Sequence, residues 1–423
     1  MDDPAPLTGP APASSTAEPS LAVVRAAPRS LWPRVLRALT LAVVMALTVT
    51  GVVCLTMTQH LLLPFEQVTT LRGRLASISD FFEDPQVIRI LRKHGLRVEA
   101  FNAGSRQVAT GSLKGLDFVF PSGKPAADRI NDARQAAGEY SKNFHPFDSP
   151  LVLASFRAYA EALHARHVAS PQRASDGGQP LYYTLDMDKF LSLTRQRLSW
   201  NDLHVGRYGI SNDNLVVAQT SDICQSNSAD GYLGLVASTR HHNAPPTEPT
   251  SARALARGIS SLLLSQGSAS DSLYTYYIDS NGISQDPIAV LYEHQYLAYQ
   301  AAYRAAHGTA DTERVLLYPR AEMMSQPHFI ALNHKADQLG KLLEADPELR
   351  RRETQLGYQL LPSGSVNELA TYLNGEGIPA PQPSSGEQTV AKMPDWQVLE
   401  QMIAAIKQCP KPVSDQGQQK PSG

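Results

Sequence analysis

Asp84–Phe101 reads DPQVIRILRKHGLRVEAF, and the whole fold can be built outward from it. Asp84–His94 keeps helical spacing and Gly95 stops it. Leu96–Phe101 (LRVEAF) then reads as a strand. Upstream, Arg72–Ser79 reads as a strand too. Downstream, Leu116–Phe120 (LDFVF) is a short buried strand and Lys124–Ala137 a helix. Strands that alternate with helices predict an α/β fold, a mostly parallel sheet with helices on both faces.

The rhythm continues. Leu151–Ser155 opens another unit, followed by helices at Phe156–His167 and Asp188–Arg197 around a polar loop at Ala169–Pro180. A strand at Leu215–Gln219 precedes helices at Ala229–Thr239 and Ala252–Ser265. Tyr274, Tyr276 and Tyr277 alternate as a half-buried strand would. Ile288–Leu291 is a strand that runs straight into a helix at Glu293–His307. Strands at Arg314–Tyr318 and His328–Leu332 and helices at Lys335–Leu343 and Pro347–Leu356 complete the body. From about Gly364 onward Gly, Pro, Ser and Gln dominate, apart from an amphipathic helix at Trp396–Lys407. Asp186 and Asp188 read as caps of the Met187–Arg197 helix.

Before all this lies ALTLAVVMALTVTGVVCLTMT, Ala38–Thr58, without a charge. A helix crossing a bilayer needs roughly 20 apolar residues. Arg25, Arg29, Arg34 and Arg37 precede the run, while only His60 and Glu66 follow closely. Cationic flanks stay cytoplasmic. The reading is a disordered cytoplasmic tail (1–34), a single transmembrane anchor (35–60) and a periplasmic or extracellular body. A cleaved signal peptide fits less well, because signal cores are shorter and a small-x-small site should follow. Cys54 is preceded by Val52 and Val53, which is poor context for lipidation.

The chain has 423 residues and a net charge of −2. Nothing in that balance points to nucleic acid. Cys224 and Cys409 permit one disulfide or stand as two buried thiols. No Cys/His cluster suggests zinc. No nucleophile elbow, HExxH or phosphate-binding loop signals an enzyme, and no cofactor is expected.

The recurring feature is a short strand ending in Ser, Gly or Asn and leading into a helix. Such ends include Ser77 and Ser79, Gly104 and Ser105, Ser122, and Ser226-Asn227-Ser228. In open α/β sheets ligands sit beyond the carboxyl ends of strands, where helix N-termini offer free N–H groups. Each residue alone reads equally well as a helix cap. Only convergence on one crevice makes a site.

The stretch FFEDPQVIRILRKHGLRVE…AGSRQVATGSLKGLDFVFPSGKPAADRI resembles the first lobe of bacterial extracellular solute-binding proteins. Matching segments follow in order: SPLVLASFRAYAEAL, YYTLDMDKFLSL, WNDL, TSDICQSNSADGYLGLVAS, PIAVLYEHQYLAYQ and ERVLLYPRAEMMSQPH, spanning about Arg72 to Leu361. The resemblance is to the class II periplasmic binding fold, in its molybdate-like branch. It implies two α/β lobes: lobe 1 from 70–150 plus 312–362, lobe 2 from 151–311, and a C-terminal extension (363–423) with one helix. Carried over by position, the cleft would use Ser77, Ser79, Gly104, Ser105 and Ser122 from lobe 1. Lobe 2 would supply Ser226, Asn227 and Ser228, with Tyr292 and Glu293 where a strand returns. Arg106 would give a charge-assisted bond to an oxyanion, or lie solvated. Asp80 or Glu293, facing inward, would oppose an anion and favour an amine or a metal-bearing solute; Glu293 reads equally as a helix cap.

The function implied is a membrane-anchored binding protein that closes on a small polar solute or oxyanion without catalysis, of the kind associated with ABC transporters. Transport members are usually cleaved or lipidated, and this chain reads as neither. The alternative is a ligand-free module serving as an interaction or sensing part of a membrane assembly, with the C-terminal helix as its contact.

Overall fold

The structure, a computed structural model, describes residues 42–50, 68–76, 78–172, 177–264, 268–269, 273–279, 281–361, 368–382 and 390–409. The chain divides into Met1–Pro64 and Phe65–Gly423. In the first unit residues 42–50 are helical, with Val43, Val44, Met45, Leu47 and Val49 exposed. The tail, the rest of the apolar run and Ser77 lie outside the described residues. Among those described, no helix is long and apolar enough to cross a membrane.

The second unit is mixed α/β and carries two main sheets. Its strands are β1 (Thr69–Leu75), β2 (Leu96–Asn102), β3 (Phe118–Phe120), β4 (Lys142–Phe144), β5 (Phe147–Phe156), β6 (Ala169–Pro171), β7 (Tyr182–Leu185) and β8 (Thr220–Ser221). They continue as β9 (Ser268–Ala269), β10 (Ile288–Tyr292), β11 (Arg314–Pro319), β12 (Glu322–Ser325), β13 (Phe329–Ala331), β14 (Gln359–Leu360) and β15 (Val390–Ala391).

The first sheet has the order β2-β1-β3-β13-β4. Its opening strands are parallel, with Thr69 opposite Leu96 and Gly73 opposite Phe118. The helix Pro85–Lys93 makes the first crossover. Asp84 starts it by accepting from the Gln86 and Val87 N–H groups, both at 3.0 Å. Val87, Ile90 and Leu91 face the sheet. Phe81, Phe118, Phe120 and Phe329 are fully enclosed in this core.

The second sheet is built on β5, whose ten residues are all buried. The order runs β15-β12-β5-β11-β7-β6, and β10 and β14 also pair with β5. Helices on both faces explain a strand with no polar alternation. Leu153, Val290, Leu317 and Tyr183 lie in one larger core.

The chain passes between the sheets where β4 gives way to β5 and where β12 gives way to β13. The resemblance assigns 312–362 to lobe 1 and leaves 363–423 as a C-terminal extension. In the structure β11 and β12 pair with β5 in the second sheet, and the chain rejoins the first sheet only at β13. The C-terminal region also goes to the second sheet. β15 pairs with β12, and the helix Trp396–Ile406 buries Val398, Leu399, Met402 and Ile403 in the larger core. A further helix, Glu368–Gly375, was not expected.

Two expected strands differ. Leu215–Gln219 forms only isolated bridges, Ser199 to Leu215 and Gln219 to Ala289. Its backbone bonds go to separate partners, Val216 N to Leu198 O and Gln219 N to Ile288 O, so no continuous ladder forms. The tyrosine run is a helix, Leu273–Ile278. Burial there falls on Leu273 and Tyr277, four apart, which is the helical period.

Candidate functional site

The first sheet delivers β1 to Ile78 and Ser79, and β2 to Asn102, Ala103 and Gly104. The second sheet delivers β10 to Tyr292, and the small β8–β9 sheet delivers β8 to Ser221, followed by the helix Asn227–Arg240. These ends meet around a cavity of about 440 Å³. Ser79, Gly104, Ser226, Ser228 and Tyr292 all line it.

The local folding is legible. Ser226 caps its helix, Oγ accepting from the Ser228 N–H at 3.3 Å and lying 2.8 Å from Ser228 Oγ. Tyr292 precedes the helix Glu293–His307, and its N–H donates to Gln295 Oε1 at 3.1 Å. Cap side chains hold these N-termini at the cavity wall.

Other expected residues are brought near but serve the structure beneath. Ser105 is buried and its Oγ accepts from the Ser122 N–H at 3.1 Å. Ser122 Oγ donates to the Ala76 carbonyl. Asn227 is buried and bridges the halves, Nδ2 donating to Ser122 O at 3.2 Å and Tyr292 Oη at 2.9 Å. None of these three lines the cavity.

Glu293 points away from the cavity. It accepts from Tyr318 Oη and Gln359 Nε2, each at 2.7 Å. Burial raises its pKa to about 7, against the lowering effect of those two bonds. Arg106 also points elsewhere. Its Nη2 meets Glu400 Oε2 at 2.5 Å, and Arg129 Nη1 meets Glu400 Oε1 at 3.2 Å. Its Nη2 is held by the C-terminal helix, while Nη1 is buried without a hydrogen-bond partner among the described residues.

Asp80, Asn102, Gln107, Ser221, Gln225 and Tyr274 complete the polar wall. Burial raises the Tyr274 pKa, and the Asp80 carboxylate adds to the effect, so its phenol stays protonated. Burial likewise holds the Tyr292 phenol well above its ordinary value. Gln295 is not singled out by the sequence reading, yet its place three residues after the N-cap residue Tyr292 is a capping signal. Tyr274 carries no readable signal of its own, because its run alternates as a strand does. No residue set here can hold a metal through several anionic ligands. Among the described residues no three His, Cys, Asp or Glu side chains gather for that purpose.

Cys224 and Cys409 form a disulfide with a Cα–Cα distance of 5.3 Å. It lies just before Ser226, and it ties the end of the C-terminal helix to the rim of the cavity. Lys407 Nζ donates to Asp222 Oδ2 at 2.7 Å beside it.

No protein-family model and no curated protein matches the chain. Among solved structures it is similar to iron-bound HitA from Pseudomonas aeruginosa, with TM-score 0.48, 12% identity, and coverage of 80% of this chain and 99% of that one. It is similar also to the substrate binding protein of an ABC transporter from Agrobacterium tumefaciens (TM-score 0.47, 9% identity, covering 81% and 96%). A third likeness is to the sulfate-binding protein SubI from Mycobacterium tuberculosis H37Rv (TM-score 0.41, 16% identity, covering 75% and 93%).

Proposed function

We propose that this chain is a non-catalytic, extracytoplasmic solute-binding protein whose two halves close on a small polar molecule. One observation carries the reading. Ser79, Gly104, Ser226 and Ser228, brought from separate segments of the chain, line one cavity. Its size falls within the roughly 300–1,000 Å³ of small-molecule sites. The charge-free run Ala38–Thr58 and its preceding arginines support an N-terminal anchor that leaves the body outside the cytoplasm. Finding the protein in the soluble fraction of unextracted cells would rule the anchor out.

A thermal-shift panel of inorganic anions, amines and sugars tests the binding reading. A ligand at 100 times its Kd adds about 2.7 kcal/mol to stability. A flat panel favours the second reading, a ligand-free module of a membrane assembly. That reading also has support, since Glu400 of the C-terminal helix ties together Arg106 and Arg129 from the first half.

A further inference from the structure

Within the cavity, Asp80 is the one charged side chain among the described lining residues. It makes no ion pair among them, and its hydrogen-bond partner there is Ser79 Oγ at 3.4 Å. The rest of the polar wall is hydroxyl and carboxamide. Two rings, Tyr274 and Tyr292, line it as well. Arg106, next in sequence to the lining residue Gln107, is not part of the wall, and its Nη2 is bonded to Glu400.

We propose that the solute is an organic cation, a small molecule bearing a protonated amine or quaternary ammonium group, with Asp80 as its counter-charge. The assignment rests on reading the cavity as the solute cleft. An unpaired carboxylate in a closing crevice asks the ligand for the missing positive charge. An inorganic oxyanion would instead be drawn in against it. Like charges brought together in that crevice repel, the more so as closure excludes water. Helix N-termini offset part of that, but each supplies only about half a charge. A tetrahedral oxyanion would also leave most of the 440 Å³ empty. A bare multivalent metal ion fits no better, because burial keeps the Tyr274 and Tyr292 phenols protonated and leaves one anionic ligand. An ammonium group needs only what is present: a carboxylate, hydroxyl acceptors and the face of a ring such as Tyr274.

The test is calorimetric titration of the full-length, detergent-solubilised protein with choline, ethanolamine and putrescine, and separately with sulfate, molybdate and glucose. The expected result is binding by an ammonium compound that weakens as salt rises. Asp80→Asn should weaken it by about tenfold or more, while Asp80→Glu retains part of the affinity and both variants keep the parental melting temperature. Binding of sulfate, molybdate or glucose with none of the ammonium compounds would overturn the cation assignment and leave solute binding standing. Choline bound equally by Asp80→Asn would overturn it too. No heat with any probe would remove both the assignment and the solute-binding reading beneath it.

Discussion

Gly104 and Gly123 matter for the side chain they lack. Neither has a backbone only glycine can adopt, with φ −62°, ψ 148° and φ −147°, ψ 150°. A Cβ on Gly104 would collide with the Gln225 carbonyl, and one on Gly123 with the Asn227 amide. Both obstacles belong to the opposite half. Gly104→Ala should therefore leave the first sheet intact and force the halves apart. We expect a larger radius of gyration by small-angle scattering and a stability loss of about 1–3 kcal/mol. An unchanged radius would show that the close approach is not needed. Asp230 offers a second residue-scale test. It is buried, its Oδ1 has no hydrogen-bond partner among the described residues, and its pKa is raised to about 8. Burial is the main cause; Glu400 adds to it and Arg106 opposes it. The fold thus holds this proton more tightly than the unfolded chain does. Its contribution is fully present below the ordinary value of 3.8 and is lost as pH rises through about 8. Asp230→Asn should remove that loss, gaining on the order of 2 kcal/mol at pH 8.5 over wild type but little at pH 4 in urea titrations. A constant difference across pH would reject the assignment. The sequence marks Gly104 and Arg106 only as candidates and carries no signal for Gly123 or Asp230. Arg106 reads as a free guanidinium until the fold brings Glu400 to it, across nearly the whole body of the chain.

At the scale of elements, the C-terminal helix Trp396–Ile406 behaves as a strap. Its apolar face lies in the second core, whereas its polar groups reach the first half. Trp396 Nε1 donates to Asp132 Oδ2 at 2.9 Å, and Arg129 sits 5.3 Å over the indole. Its far end is held by the Cys224–Cys409 disulfide across a separation of 185 residues. Closing so long a loop restricts the unfolded chain strongly. The Cys224→Ser/Cys409→Ser double variant should lose about 2–5 kcal/mol in denaturant midpoint measurements. It should also be cleaved faster by protease near Lys407 than the parent. Equal cleavage would mean that packing alone holds the strap. The helix was readable from its own apolar spacing, as were Pro85–Lys93 and Glu293–His307. Elements shaped by distant partners were not. Tyr274 and Tyr276 alternate like a strand, but Leu273 and Tyr277 are what the core takes up. Leu215–Gln219 has strand composition, yet its hydrogen bonds are divided between two neighbours.

For the whole molecule, what matters is that two cores share one strand. Phe147, at the start of β5, packs with Phe81 and Phe120 in the first core, and Leu151 through Phe156 pack in the second. Alternation of strands and helices predicted α/β architecture but not this return path, because β11 and β12 look the same in sequence whichever sheet they join. The physical consequence is unequal stability. The first sheet ends in the edge strand β2, whose Phe101 is 61% exposed, while β10 and β11 are buried on both sides of β5. Native-state amide exchange should show β1, β2 and β3 opening together at a lower free energy than β10 and β11. Addition of a saturating ligand that bridges the halves should raise the first set toward the second, since it can close only on a folded first half. If all these strands exchange at one common free energy without ligand, the shared strand has fused the two cores into a single cooperative unit, and closing on a solute must then proceed by bending at the β4–β5 and β12–β13 passages alone.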